Sequence, residues 1–134
     1  MSDQTAKILL YSDDRTTREQ VRLALGRRVA ADLPEVEIFE VATQPAVLAA
    51  VDAGGMDLLI LDAEAAPSGG LGLGKQLKDE IADCPPVLML IVRVADAWLA
   101  TWSRADAVEI SPVDPVRLPT AVATLLRARL GQAA

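Results

Sequence analysis

The sequence predicts an α/β domain: a parallel sheet of five strands in spatial order 2-1-3-4-5, each strand followed by a helix. Three observations lead there. The runs at 7–12, 57–62 and 86–92 are nearly continuously apolar, the pattern of strands covered on both faces. The runs at 35–41 and 106–111 alternate polar and apolar residues, the pattern of half-exposed edge strands. Between these runs lie stretches with apolar residues at helical spacing, and alternating strands and helices build a sheet with helices on both faces, a three-layer sandwich.

A chain of 134 residues can bury a core without disulfide staples. No linker or repeat is legible, so residues 1–134 read as a single domain without an output domain. No apolar run approaches the ~18–20 residues a bilayer demands, so no membrane insertion is expected. Met1 to Lys7 lacks the basic-then-apolar order of a signal peptide, and the expected location is cytoplasmic. A formal net charge of −6 argues against a nucleic-acid surface, because phosphate binding wants a basic face. The one cysteine, Cys84, lies beside Pro85-Pro86 and reads as a half-buried structural thiol. The chain has no histidine, which removes Ser-His and Cys-His nucleophile pairs and His-ligated zinc.

Taken in order, Lys7-Ile8-Leu9-Leu10-Tyr11-Ser12 forms the first strand and ends in Asp13-Asp14. Thr16 with Glu19 has the form of a capping box opening the first helix, whose inward face carries Val21, Ala24, Leu25 and Val29. Glu35 to Val41 alternates, apart from Phe39. Thr43 with Pro45 starts the second helix, and Gly54-Gly55 closes it. Leu58 to Leu61 forms the heart of the third strand, ending in Asp62. A third helix is expected over 71–82, a fourth, short one over 96–103, and a fifth from Asp114-Pro115, its first turn disturbed or delayed by Pro119. The order 2-1-3-4-5 is the flavodoxin-like doubly wound arrangement, in which ligands gather beyond the carboxyl ends of the strands. Asp62 stands at such an end.

Asp13 and Asp62 ending two central strands, Gly70 eight residues beyond Asp62, and Ser111-Pro112 ending the fifth strand together resemble the receiver domain of two-component response regulators, over essentially the whole chain. In that family an acidic pair after the first strand and an aspartate after the third bind Mg²⁺, and the third-strand aspartate takes a phosphoryl group from a histidine kinase. A Thr or Ser ending the fourth strand and a Lys before the last Pro contact the phosphoryl oxygens, and an aromatic in the fifth strand reports the switch. The resemblance makes Asp62 the phosphoacceptor and Asp13, Asp62 and the Glu64 backbone carbonyl the Mg²⁺ ligands. It also exposes four altered positions: Ser12 for the first acid, Ile91 for the hydroxyl, Val108 for the aromatic and Ser111 for the Lys.

Phosphoryl transfer to a carboxylate depends on positioning and on neutralising charge. An isoleucine offers no donor, and a serine is a short neutral substitute for a long cation. Asp13 and Asp62 repel each other unless a cation binds, with Mg²⁺, Arg15 or Arg93 as candidates. The resemblance therefore implies Asp62 as a vestigial or weak acceptor, weak Mg²⁺ binding and no required cofactor. Trp98 and Trp102, the only tryptophans, lie four residues apart on a short helix. In receivers the fourth-helix, fifth-strand and fifth-helix face is the usual dimer or partner surface, so at least one ring is expected to contact a partner or a second copy. Gly69 to Lys75 has the spacing of neither a Walker A loop nor a strand-adjacent GxGxxG.

The expected function is a stand-alone atypical receiver, not an enzyme, that acts in signal transduction as a protein–protein interaction module without aspartyl phosphorylation. Two alternatives stand beside it: a working receiver phosphorylated on Asp62 in a phosphorelay, and a small flavodoxin-like cofactor-binding protein.

Overall fold

The computed structural model describes residues 4–132; Met1-Ser2-Asp3, part of the segment read for a targeting signal, lies outside them. The strands are β1 (Ala6–Tyr11), β2 (Val36–Val41), β3 (Leu58–Asp62), β4 (Val87–Ile91) and β5 (Ala107–Ile110). The helices are α1 (Arg15–Leu25), α2 (Gln44–Ala53), α3 (Gly70–Glu80), α4 (Ala97–Trp102) and α5 (Arg117–Gln132), with a single 3₁₀ turn, Val94–Asp96, leading into α4. The strands form one sheet in the order β2-β1-β3-β4-β5, every neighbouring pair parallel. This is the expected order.

Alternation of side chains across each strand divides the core in two. Ile8, Leu10, Leu58, Ile60, Leu88 and Leu90 pack against α1 and α5 through Val21, Leu25, Leu118, Val122 and Leu126. Leu9, Leu59, Leu61, Met89 and Ile91 pack on the other face against Val47, Leu73, Leu77 and Ala100 of α2, α3 and α4. Every residue of β3 and β4 is buried, whereas β2 and β5 are only partly so. Because the period is two, a one-residue slip of β3 would drive Asp62 toward the apolar layer that now holds Leu61.

Helix boundaries depart from the sequence reading at three places. The N-cap of α1 is Asp14, whose Oδ1 accepts the Thr16 N–H at 2.9 Å; a carboxylate two residues earlier takes the role the capping-box pattern gave Thr16. The helix stops at Gly26, with φ 60°, so Val29 reaches the core from a loop. Helix α5 opens at Arg117 after Asp114 Oδ1 accepts the N–H groups of Val116 and Arg117 at 2.7 and 2.9 Å. Pro119 then falls in the first turn, where a missing N–H leaves no intrahelical bond unmade.

Candidate functional site

The carboxyl ends of β1 and β3 meet by register. Tyr11 pairs with Leu61, so the next residues, Ser12 and Asp62, are cross-strand neighbours. Both are buried, Ser12 fully and Asp62 to 6% exposure. The Ser12 hydroxyl donates to Asp62 Oδ2 at 2.7 Å, and the Glu64 N–H donates to Asp62 Oδ1 at 2.8 Å. Both carboxylate oxygens therefore have a donor from within the protein. Ser12 Oγ in turn accepts the Asp14 N–H at 3.0 Å, and the Ser12 carbonyl accepts from the Arg18 guanidinium at 2.7 Å. Arg18 and Arg22 both pair with Glu40 on β2, at 3.3 and 2.9 Å, which anchors the β1–α1 turn.

The loop after β3 is held from two sides. The Tyr11 hydroxyl donates to the Ser68 carbonyl; Ser68 donates to Gln44 Oε1 at 2.7 Å and Gln44 to Gln76 Oε1 at 3.2 Å, linking β1, α2 and α3. Burial, then the Asp13 and Asp62 charges, push the Tyr11 phenol above its ordinary pKa. The glycines that invited a phosphate-loop reading have a steric reason to be there. A Cβ at Gly70 would lie 2.7 Å from the Asp62 carbonyl oxygen, and one at Gly69 would lie 2.8 Å from that of Ala63. The first turn of α3 rests directly on the backbone of the strand end.

The other sequence-derived residues are arranged unevenly. Asp13 and Glu64 are exposed. Ile91 is 1% exposed and packs into the apolar layer with Tyr11 and Leu61. Val108 is half-buried against the same layer, and the Ser111 N–H donates to the Ile91 carbonyl at 2.7 Å. Arg93, one candidate substitute cation, is paired with Asp96 at 3.2 Å; Arg15 is exposed. Among the described residues no group of three or more His, Cys, Asp or Glu is placed to hold a metal ion. The donors available to Mg²⁺ are the Asp13 carboxylate, an Asp62 carboxylate already hydrogen-bonded on both oxygens, and the Glu64 carbonyl. Two carboxylates and a carbonyl are oxygen donors of the kind Mg²⁺ takes, and the Ser12 hydroxyl and Glu64 N–H each occupy one lone pair of Asp62, leaving one on each oxygen. The Cys84 thiol is half-buried, and desolvation raises its pKa.

On α4, Ala100 turns inward while Trp98 and Trp102 stay 67% and 50% exposed. The Lys75 ammonium lies 5.4 Å from the Trp102 ring centroid, a cation–π distance.

No family model matches the chain. Response regulatory proteins of Mycobacterium tuberculosis, strains CDC 1551 / Oshkosh and H37Rv, are each 54% identical to it over 127 residues, 95% of this chain and 96% of theirs. The chain belongs to the response regulator family. Among solved structures, a response regulator from Chloroflexus aurantiacus J-10-fl superposes on the receiver with TM-score 0.80 at 23% identity, covering 92% of this chain and 98% of that one. A chemotaxis response regulator of Vibrio cholerae gives 0.72 at 21%, covering 92% and 100%. At such identities the likeness is one of fold, and the receiver fold is common to all of them.

What sequence reasoning missed is the role of Ser12. It registered as a lost acid; in the receiver fold it supplies the hydroxyl that contacts Asp62, from β1 rather than β4. The β1–β3 register carries that signal once the two strand ends are set side by side.

Proposed function

We propose that this receiver signals through contact with a protein partner and that its active conformation does not depend on phosphorylation of Asp62. The observation that carries the reading is the closed carboxylate: Asp62 is buried, with Ser12 on one oxygen and the Glu64 N–H on the other. A phosphoryl acceptor needs an accessible oxygen and cations to take up the charge that develops on transfer. Burial and two neutral donors hold this carboxylate, with no cation beside it among the described residues. Here the acid of the first strand is a hydroxyl, Ile91 is packed in the core and Ser111 is short and neutral. Each missing preorganised donor costs transfer about 3 kcal/mol. Val108, in turn, has no ring to move if a phosphoryl group did arrive. Mg²⁺ binding is weak on this reading, and no cofactor is required.

The test is treatment with Mg²⁺ and acetyl phosphate, or with BeF₃⁻, read by intact mass and by amide shifts around Asp62. The expected result is no stoichiometric adduct and no shift spreading beyond the β3–α3 loop; stoichiometric uptake with shifts across β4 and β5 would overturn the reading. Reinstalling the missing groups together (Ser12→Asp, Ile91→Thr, Ser111→Lys) is expected to restore Mg²⁺-dependent BeF₃⁻ binding, which isolates these positions as the cause.

A further inference from the structure

Past the end of β4 lies a cavity of about 290 Å³ that includes none of the groups around Asp62. Ile91, 1% exposed, lies at its bottom, and the exposed Val94 and Ile110 stand at its rim. Ala97 of α4 and Val108 of β5 line it between them. Both are short side chains, and the space over Ile91 stays open because neither fills it. A hollow with chiefly apolar walls and a few polar groups has the make-up of a small-molecule site, and its volume sits near the lower end of their range of about 300–1,000 Å³. Its occupant is therefore small.

The charged groups of the lining are Glu109, Asp114 and Arg117. The Glu109 side chain is 14% exposed, yet its ion pair with Arg117 spans 3.8 Å, too long for a hydrogen bond. Among the described residues no other hydrogen-bond donor reaches its carboxylate. The Arg117 side chain is 76% exposed, so a sheltered carboxylate has its counter-ion standing in water. Asp114 Oδ1 accepts the Val116 and Arg117 N–H groups, which hold the carboxyl ionised; no donor among the described residues reaches its other oxygen. Two carboxylates against one guanidinium leave the lining negative, and the field favours a cation.

The walls decide which cation. Mg²⁺ or Ca²⁺ takes about six or more oxygen ligands, whereas most of this lining is hydrocarbon. An anion would meet two carboxylates. A neutral apolar molecule would leave Glu109 with its distant partner. An apolar body that ends in an ammonium satisfies both the walls and the carboxylate.

We propose that this cavity binds a small organic amine in its protonated form, the apolar body lying over Ile91 and Val108 and the ammonium donating to Glu109 in place of Arg117. The hydrogen bond so formed is charge-assisted on both sides, the strong kind. No step of this binding involves Asp62, so the site stands or falls apart from the phosphorylation reading.

The experiment titrates phenethylammonium, protonated near pH 7, into the ¹⁵N-labelled chain and follows amide shifts. The neutral 2-phenylethanol and the anionic phenylacetate are the comparators. Saturable shifts centred on Ile91, Ala97, Val108 and Glu109 are expected, with a Kd about tenfold below that of either comparator. Glu109→Gln keeps the shape and removes the charge; it is expected to raise the amine Kd about tenfold and to leave 2-phenylethanol unaffected. Arg117→Gln removes the competing guanidinium and is expected to tighten amine binding about threefold. Ala97→Leu fills the cavity and is expected to abolish binding of all three probes, with circular dichroism confirming that it folds. Shifts that do not saturate, or phenylacetate binding as tightly as the amine, would overturn the proposal. An Arg117→Gln variant that binds the amine more weakly would overturn it too, since the guanidinium would then be the anchor.

Discussion

Ser12 and Asp62 form a polar contact between two buried side chains at the carboxyl end of the sheet, and its energetics follow from burial. A hydrogen bond to a carboxylate is stronger than a neutral one, and removing its donor leaves a desolvated oxygen unpaired. Ser12→Ala is therefore expected to destabilise the receiver by about 1–3 kcal/mol, measured by urea denaturation. Ser12→Asp replaces the donor with a second carboxylate in the same buried space. That variant is expected to be weaker than Ser12→Ala without metal and to regain stability when Mg²⁺ is added, because the dication offsets the repulsion and now finds a matched acid pair. Wild type is expected to gain little from Mg²⁺, and a comparable gain there would contradict the closed-carboxylate reading. Asp62→Asn keeps an acceptor oxygen and a side chain of the same shape, so its cost should fall well below that of Ser12→Ala.

At the scale of elements, the sheet order was legible because burial writes itself into strand composition. The uninterrupted apolar runs of β1, β3 and β4 occupy the centre and the alternating runs of β2 and β5 the edges. The positions of Asp13, Asp62, Ile91, Val108 and Ser111 along those strands followed directly. What resisted was whatever depends on two elements at once. The Ser12–Asp62 contact needs the β1–β3 register, the Asp14 cap competes with an equally plausible Thr16, and the outward turn of both tryptophans depends on which residue of α4 meets the sheet. The glycines at the start of α3 belong to the same class. Gly70→Ala would bring a methyl group to 2.7 Å from the Asp62 carbonyl, so backbone must move; overpacking of that kind costs about 1–3 kcal/mol, and the amide resonances of residues 62–70 are expected to shift. The Tyr11 bond to the Ser68 carbonyl makes a second prediction for this loop. The phenol pKa is raised in the folded state, so its contribution is complete below the unfolded value of about 10 and is lost as pH climbs through the folded value. Tyr11→Phe is expected to flatten that alkaline decline while leaving the loop more open to proteolysis at neutral pH.

For the molecule as a whole, the charge inventory sets how stability responds to pH. There is no histidine, and burial raises the pKa of the Cys84 thiol, so no side chain of ordinary character titrates between about pH 5 and pH 7. The acid side is different. A hydrogen bond from Arg127 holds the Asp32 carboxyl below its usual range, one from Lys75 does the same for Asp79, and the Arg117 and Val116 N–H groups lower Asp114. In each case the folded pKa is depressed, so the stabilisation is present above the unfolded carboxylate value near 4 and is lost as pH falls through the folded value. These contacts join the loop after α1 to α5, brace α3 from within and cap α5, so their loss loosens the helical layers rather than the sheet. Because all three carboxylates are exposed to solvent, which screens them, thermal unfolding is expected to give a midpoint nearly constant from about pH 5 to pH 7 and a modest decline below about pH 4. In a variant carrying Asp32→Asn and Asp114→Asn together, the neutral plateau should drop and the acid decline should become shallower, because the groups that generate it no longer ionise. An acid limb as steep as wild type in that variant would show that the decline originates elsewhere.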